Sequence, residues 1–177
     1  MTSERDEQFG KFVLDRRAEL VRTARLITGG DHHLAEDLVQ TTLTKLYVKW
    51  PAYRRAGNPG GYVYRIMVNA LTDERRRPWW RRERSTAALP DIAQAESGLD
   101  REGVDELMTA LKRLPPRMRA TLVFRYFHGL DVAETAGALG CSEGSVKTQT
   151  ARGLQRLREA LEVTPGRLSY LPGNIHP

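Results

Sequence analysis

The sequence predicts an all-α protein in which two small helical domains are joined by an acidic, flexible linker. Apolar residues recur at helical spacing nearly everywhere, and no segment alternates with period two. That regularity fades between Ser85 and Gly103, where Pro90, Gly98 and Gly103 interrupt the chain. Asp91, Glu96, Asp100 and Glu102 face only Arg101 in this stretch, a net charge of −3. Helical patterning then resumes over a shorter segment whose small residues suit a helix-turn-helix. The expected organisation is a first helical domain over 5–84, the linker over 85–103, a second helical domain over 104–162 and an irregular tail over 163–177.

The first helix is expected from about Glu7 to Ile27, with Phe9, Phe12, Val13, Leu20, Val21 and Ala24 on one side. Gly29-Gly30 ends it, and Asp31 is placed to cap the next helix. That second helix carries Leu34, Leu38, Val39, Leu43, Leu46, Tyr47 and Trp50 before it meets Pro51. Ala52 to Gly61 reads as a loop, in which Asn58-Pro59 matches an N-cap followed by proline at the first helical position. A third long helix carries Tyr62, Val63, Ile66, Met67, Ala70 and Leu71 and is expected to stop before Pro78. Beyond the linker, Val104, Leu107, Met108, Leu111 and Leu114 mark a helix that Pro115-Pro116 breaks. Another follows through Met118, Leu122, Val123, Tyr126 and Phe127, closed by Gly129.

Composition narrows the function classes. The chain of 177 residues has 28 basic against 22 acidic side chains, a formal net charge of +6. A basic protein of this size is drawn to polyanions, of which nucleic acid is the commonest, although charge alone also suits a membrane surface. Cys141 is the single cysteine, which excludes an intrachain disulfide and a cysteine-based zinc site. No stretch approaches the ~20 apolar residues that span a bilayer, so no membrane association is expected and the expected location is the cytoplasm.

Val132 to Thr150 carries the sharper signal. Val132, Ala136 and Leu139 form the buried side of a short helix, and Gly140 suits a turn residue with positive φ. Ser142 is an N-cap, and Glu143 sits at the positive end of the following helix dipole. That helix buries Val146, Leu154, Leu157 and Leu161, which leaves Ser145, Lys147, Thr148, Gln149, Arg152 and Arg156 towards the outside. A recognition helix reads bases with its N-terminal residues and anchors phosphates with arginines further along. The plainer alternative is a helical hairpin with a solvated charged face. In the first domain, Arg75, Arg76, Arg77, Arg81, Arg82 and Arg84 surround Trp79-Trp80, a mixture suited to phosphate contacts and base stacking or simply to a solvated helix end.

These segments resemble a known family. Ala35-Glu36-Asp37-Leu38-Val39-Gln40-Thr41-Thr42-Leu43 is similar to the second conserved region of bacterial sigma factors. Tyr62 to Arg77 resembles the helix that family applies to the −10 promoter element. Leu114-Pro115-Pro116-Arg117-Met118-Arg119 and the helix-turn-helix are similar to its −35-binding domain. The linker stands where larger sigma factors carry a whole domain, which points to the extracytoplasmic-function group. The Val-Lys-Thr-Gln-Thr-Ala-Arg-Gly-Leu run points to an actinobacterial, SigE-like branch of it.

The resemblance implies roles position by position. Asp37, Gln40, Thr41 and Tyr47 match the face that grips the β′ clamp helices of core RNA polymerase, whose β subunit is a further expected contact. Tyr53, Arg54, Arg55 and Asn58 lie in the loop that captures a base flipped from the −10 strand, by stacking and edge hydrogen bonds. Tyr62, Arg65, Asn69, Asp73, Arg76 and Arg77 belong to the helix facing −10 DNA, with Asp73 alternatively a local helix staple. Arg119 and Arg125 are candidates for phosphate contacts at −35, beside Glu143, Ser145, Lys147, Thr148, Gln149, Arg152 and Arg156 on the recognition helix. Where many relatives have Lys-Ser-Arg-Leu, this chain has Lys147-Thr148-Gln149-Thr150, and glutamine prefers adenine edges where arginine prefers guanine. An anti-sigma factor is a further possible partner.

Two rivals are weighed against this. A stand-alone repressor or activator accounts for the helix-turn-helix but leaves the Asp37–Tyr47 face without purpose. A metal-dependent hydrolase on Asp31, His32, His33, Glu36 and Asp37 lacks a second ligand cluster, and Gly57 to Gly61 lacks the lysine and strand of a phosphate loop. No cofactor or metal is expected, and no enzymatic activity: catalysis falls to the polymerase.

Overall fold

The computed structural model describes residues 3–76 and 101–161. Among these every regular element is helical. They fall into two compact units, one of residues 3–25 and 31–76, the other of 26–30 and 101–161.

Helix α1 spans Glu4–Thr28, longer than its apolar periodicity predicts, and belongs to the first unit as far as Arg25. Its first turn holds Glu4, Asp6 and Glu7 and its last holds Arg25, which matches the helix dipole at both ends. Gly29 and Gly30 follow with φ of 72° and 86°, a left-handed exit that glycine adopts without strain. Helix α2 spans His32–Val48, capped by Asp31, whose carboxylate accepts from the Leu34 N–H. Its buried residues Leu34, Ala35, Leu38, Val39, Leu43 and Leu46 form one stripe.

Helix α2 ends ahead of Pro51 as expected, but at Val48, so Trp50 belongs to the next helix. A short helix α3, Trp50–Arg54, places Pro51 in the first turn, where the missing N–H costs nothing. The expected loop over Ala52–Gly61 is therefore shorter, because Ala52 to Arg54 are helical. Helix α4, Pro59–Arg76, begins as Asn58-Pro59 predicts, with Asn58 Oδ1 accepting from the Gly61 N–H at 2.9 Å. It packs along α2 through Val63, Met67 and Ala70, all buried. Side-chain bonds tie α1 to both: Arg17 pairs with Glu36 at 3.0 Å, and the Tyr64 hydroxyl donates to Glu19 at 2.5 Å.

In the second unit, α5 spans Arg101–Arg113, so helix already occupies the last residues assigned from sequence to the linker. Helix α6, Pro116–Leu122, has proline in its first turn and continues into one π-helical turn, Val123–Phe127, which the periodicity does not announce. Helix α7 is Val132–Leu139 and α8 is Glu143–Ala160. Ala110, Leu111, Leu114, Met118, Leu122, Leu154 and Leu157 form the core, each buried leucine contributing about 1.5–3 kcal/mol. The arginine–tryptophan cluster beyond Arg76, the rest of the linker and the tail lie outside the described residues.

Candidate nucleic-acid interface

The helix-turn-helix is built from local signals that cooperate. Asp131 caps α7 in a capping box, accepting from the Glu134 N–H at 2.7 Å while the Glu134 carboxylate takes the Asp131 N–H at 2.9 Å. Gly140 ends α7 with φ 63° and ψ 42°, and the Cys141 N–H returns to the Ala136 carbonyl at 3.1 Å. Ser142 then caps α8, its hydroxyl accepting from the Ser145 N–H at 3.1 Å. Cys141 is half-buried beneath this turn.

Val146, Gly153, Leu154 and Leu157 face inward, so α8 has a fixed rotation. Glu143, Ser145, Lys147, Thr148, Arg152 and Arg156 are exposed, and Gln149 is half-buried at the edge of that face. Thr150 does not disturb the packing: its hydroxyl donates to the Val146 carbonyl at 2.7 Å, which satisfies it within the helix. Gly153 carries no sequence signal beyond its identity, yet it sets how closely α8 meets α6. A Cβ there would stand 2.8 Å from Met118 Cγ.

One expected phosphate contact is corrected, and a second is partly engaged within the fold. Arg119 is buried, and its guanidinium donates to the carbonyls of Leu111, Lys112 and Leu114 at 2.8, 3.2 and 3.0 Å. It closes the C-terminal end of α5, whose last carbonyls have no intrahelical donor. Arg125 is half-buried, and its Nη1 donates to the Leu130 carbonyl at 2.5 Å, bracing the turn after the π-helical segment. The Arg119 guanidinium is turned inward, away from any phosphate, whereas Arg125 keeps part of its surface open. Arg117, not singled out from sequence, is exposed and donates to the Leu139 carbonyl at 3.2 Å, so it braces the end of α7.

In the first unit, Asp37, Gln40, Thr41 and Tyr47 recur three, four and seven residues apart and share the outer side of α2, opposite its buried stripe. Asp37 and Gln40 are exposed, Thr41 is half-buried, and Tyr47 keeps 36% of its surface open. The Tyr47 hydroxyl donates to Asp6 at 2.5 Å, which raises the tyrosine pKa and lowers that of Asp6. Glu36 and His32 are engaged in pairs with Arg17 and Arg25, and Asp31 in its cap. No group of three metal-ligating side chains occurs among the described residues.

Tyr53 is half-buried in an aromatic cluster, stacked on Trp50 at 4.9 Å and meeting Phe12 edge-on at 5.4 Å. Burial raises its hydroxyl pKa. Arg54, Arg55 and Asn58 are exposed beside it, and Tyr62 lies 6.2 Å from the Tyr53 ring. The Asn58 carbonyl oxygen is committed to the α4 cap. Along α4, Arg65, Asn69, Asp73 and Arg76 are exposed at spacings of three and four, one continuous stripe. Asp73 pairs with Lys45 of α2 at 3.2 Å rather than within its own helix. Arg77 lies outside the described residues.

The comparisons with known proteins agree with this layout. Residues 12–81 match the model of sigma-70 region 2, and residues 105–157 match that of sigma-70, region 4. The RNA polymerase sigma-E factor of Streptomyces avermitilis is 36% identical over 159 residues, covering 88% of this chain and 86% of that protein. The extracytoplasmic-function sigma factor SigM of Mycobacterium tuberculosis is 33% identical over 144 residues, covering 81% of this chain and 71% of that one. Among solved structures, sigma factor RpoE in complex with the anti-sigma factor NepR, from Bartonella quintana, shares the fold. Its TM-score is 0.71 and its identity 23%, covering 89% of this chain and 98% of that one. Two capped helical units in this order, each matching one sigma region, place the chain in the sigma-70 family, as an RNA polymerase sigma factor of the extracytoplasmic-function type serving transcription initiation.

Proposed function

We propose that this sigma factor directs core RNA polymerase to promoters by reading a −35 element with α8 and a −10 element with α4 and the Tyr53–Gly61 segment, and that it promotes melting at −10. The observation that carries this is the division of exposed side chains. On α8, Lys147, Thr148 and Arg152 stand out over a packed, capped turn, with Gln149 at the edge of the same face. That rigid helix fits a duplex major groove. The first unit instead offers Arg54, Arg55 and Asn58 beside an aromatic cluster, and the Arg65–Asn69–Arg76 stripe, which suit an unstacked strand.

The α2 face of Asp37, Gln40, Thr41 and Tyr47 is the surface for the β′ clamp helices. It combines exposed polar groups with one aromatic, the composition of a protein-docking patch rather than of a phosphate-binding one. An anti-sigma factor is a candidate partner, since RpoE of Bartonella quintana and CnrH were solved with NepR and with the cytosolic domain of CnrY. No helix among the described residues is long and apolar enough to cross a membrane. As a partner of RNA polymerase, the chain is assigned to the cytoplasm, where that enzyme works. Run-off transcription with core polymerase on a promoter library tests the proposal: specific transcripts are expected only when the chain is added. Tight binding to duplex promoter without polymerase would favour a stand-alone repressor.

A further inference from the structure

Tyr47 is held more firmly than an exposed surface aromatic requires. Its hydroxyl donates to Asp6 Oδ1, and Phe9 meets its ring edge-on at 5.0 Å. The Arg5 guanidinium lies 4.3 Å from the ring centroid, and Arg5 also donates to the Tyr47 carbonyl. Asp6 is fixed in turn, its carboxylate accepting from the Ser3 N–H at 3.2 Å and its own N–H donating to Ser3 Oγ at 3.3 Å. All these partners come from the first turns of α1, about forty residues earlier in the chain. Tyr47 nonetheless stays 36% exposed, so the arrangement presents the ring instead of burying it.

We propose that the first turns of α1, through Arg5, Asp6 and Phe9, are part of the polymerase-docking surface and position Tyr47 for the helical β′ partner. This rests on the reading of the α2 face given above. A free tyrosine loses rotamer freedom when it docks, and a ring fixed beforehand has already lost it. Arg5, Asp6 and Phe9 are positioning residues: they act on the partner through Tyr47.

The test measures affinity of the full chain for core polymerase, with circular dichroism of each variant. Tyr47→Ala should lose about tenfold or more, as expected of a central aromatic in a docking patch. Asp6→Ala and Tyr47→Phe should each lose about two- to fivefold, and the double variant no more than either alone. Asp6→Asn, which keeps an acceptor oxygen, should retain most of the affinity. In 3-fluorotyrosine protein, the ¹⁹F resonance that Tyr47→Phe removes should shift in Asp6→Ala and stay in place in Lys11→Ala. Wild-type affinity of Asp6→Ala beside an impaired Tyr47→Ala overturns the inference and leaves the docking face standing, as do strictly additive losses. Wild-type affinity of Tyr47→Ala overturns both.

Discussion

A Cβ on Gly153 would lie 2.8 Å from Met118 Cγ, closer than two carbons approach without displacement. The same Cβ would stand 3.1 Å from Leu122 Cγ, so the glycine sets the separation of α8 from α6. Gly153→Ala gains up to about 1 kcal/mol of helix propensity but overpacks the contact by about 1–3 kcal/mol. Net destabilisation is expected, with a larger loss for Gly153→Val, measured by urea unfolding. A stabilised Gly153→Ala would show that Met118 and Leu122 repack freely.

Arg119 and Arg152 should separate cleanly in two assays. Arg119→Ala leaves the carbonyls of Lys112 and Leu114 without the guanidinium, takes one of two donors from that of Leu111, and is expected to cost about 3 kcal/mol of stability. Arg152→Ala, at an exposed site, should change stability by less than about 0.5 kcal/mol. It should instead weaken holoenzyme binding at all promoters and lower the salt slope by about one counterion. A stable Arg119→Ala with a reduced salt slope would restore the phosphate role that burial removes.

Asn58 serves a helix cap, and its substitutions distinguish that from base capture. Asn58→Ala is expected to cost about 1 kcal/mol of stability, and Asn58→Asp much less, because aspartate caps equally well. If the exposed amide also holds a flipped base, Asn58→Asp restores stability without restoring opening, read by permanganate reactivity of the −10 strand. Full recovery of both by aspartate would confine Asn58 to capping.

Tyr64 should give an alkaline limb to stability. Burial, then the hydrogen bond to Glu19 and its charge, push its hydroxyl pKa well above the ordinary value of 10.0. The folded state therefore holds this proton more tightly than the unfolded state does. The contribution is fully present below pH of about 10 and declines as pH rises from there toward the folded value. Tyr64→Phe should flatten that decline in denaturation measured between pH 9 and 11, whereas an unchanged slope would mean that other groups control it.

Local signals made much of this fold legible. Asp31, Asn58 and Ser142 each mark a helix start because a short acceptor side chain satisfies an N–H that has no other partner. Gly140 marks the helix-turn-helix turn because its φ of 63° disfavours other residues. Pro51 does follow the end of α2, but it hides the short helix after it, because proline is equally at home in a helix's first turn. The burial of Arg119 is invisible to periodicity: nothing in Leu-Pro-Pro-Arg-Met-Arg tells which arginine turns inward to close α5. The Asp6–Tyr47 bond is hidden for a similar reason, since it joins residues that only the packing of α1 on α2 brings together.

The proposed division of labour between the two units is tested most directly by run-off transcription from duplex and pre-melted templates, using holoenzyme carrying Gln149→Ala or Asn69→Ala. Gln149→Ala should lose about 1–3 kcal/mol at the upstream base it reads on both templates, since opening −10 leaves −35 recognition untouched. Asn69→Ala should be impaired on duplex and recover at least in part when −10 is already open. Rescue of Gln149→Ala but not of Asn69→Ala by pre-melting would contradict the assignment of duplex reading to α8 and strand opening to α4.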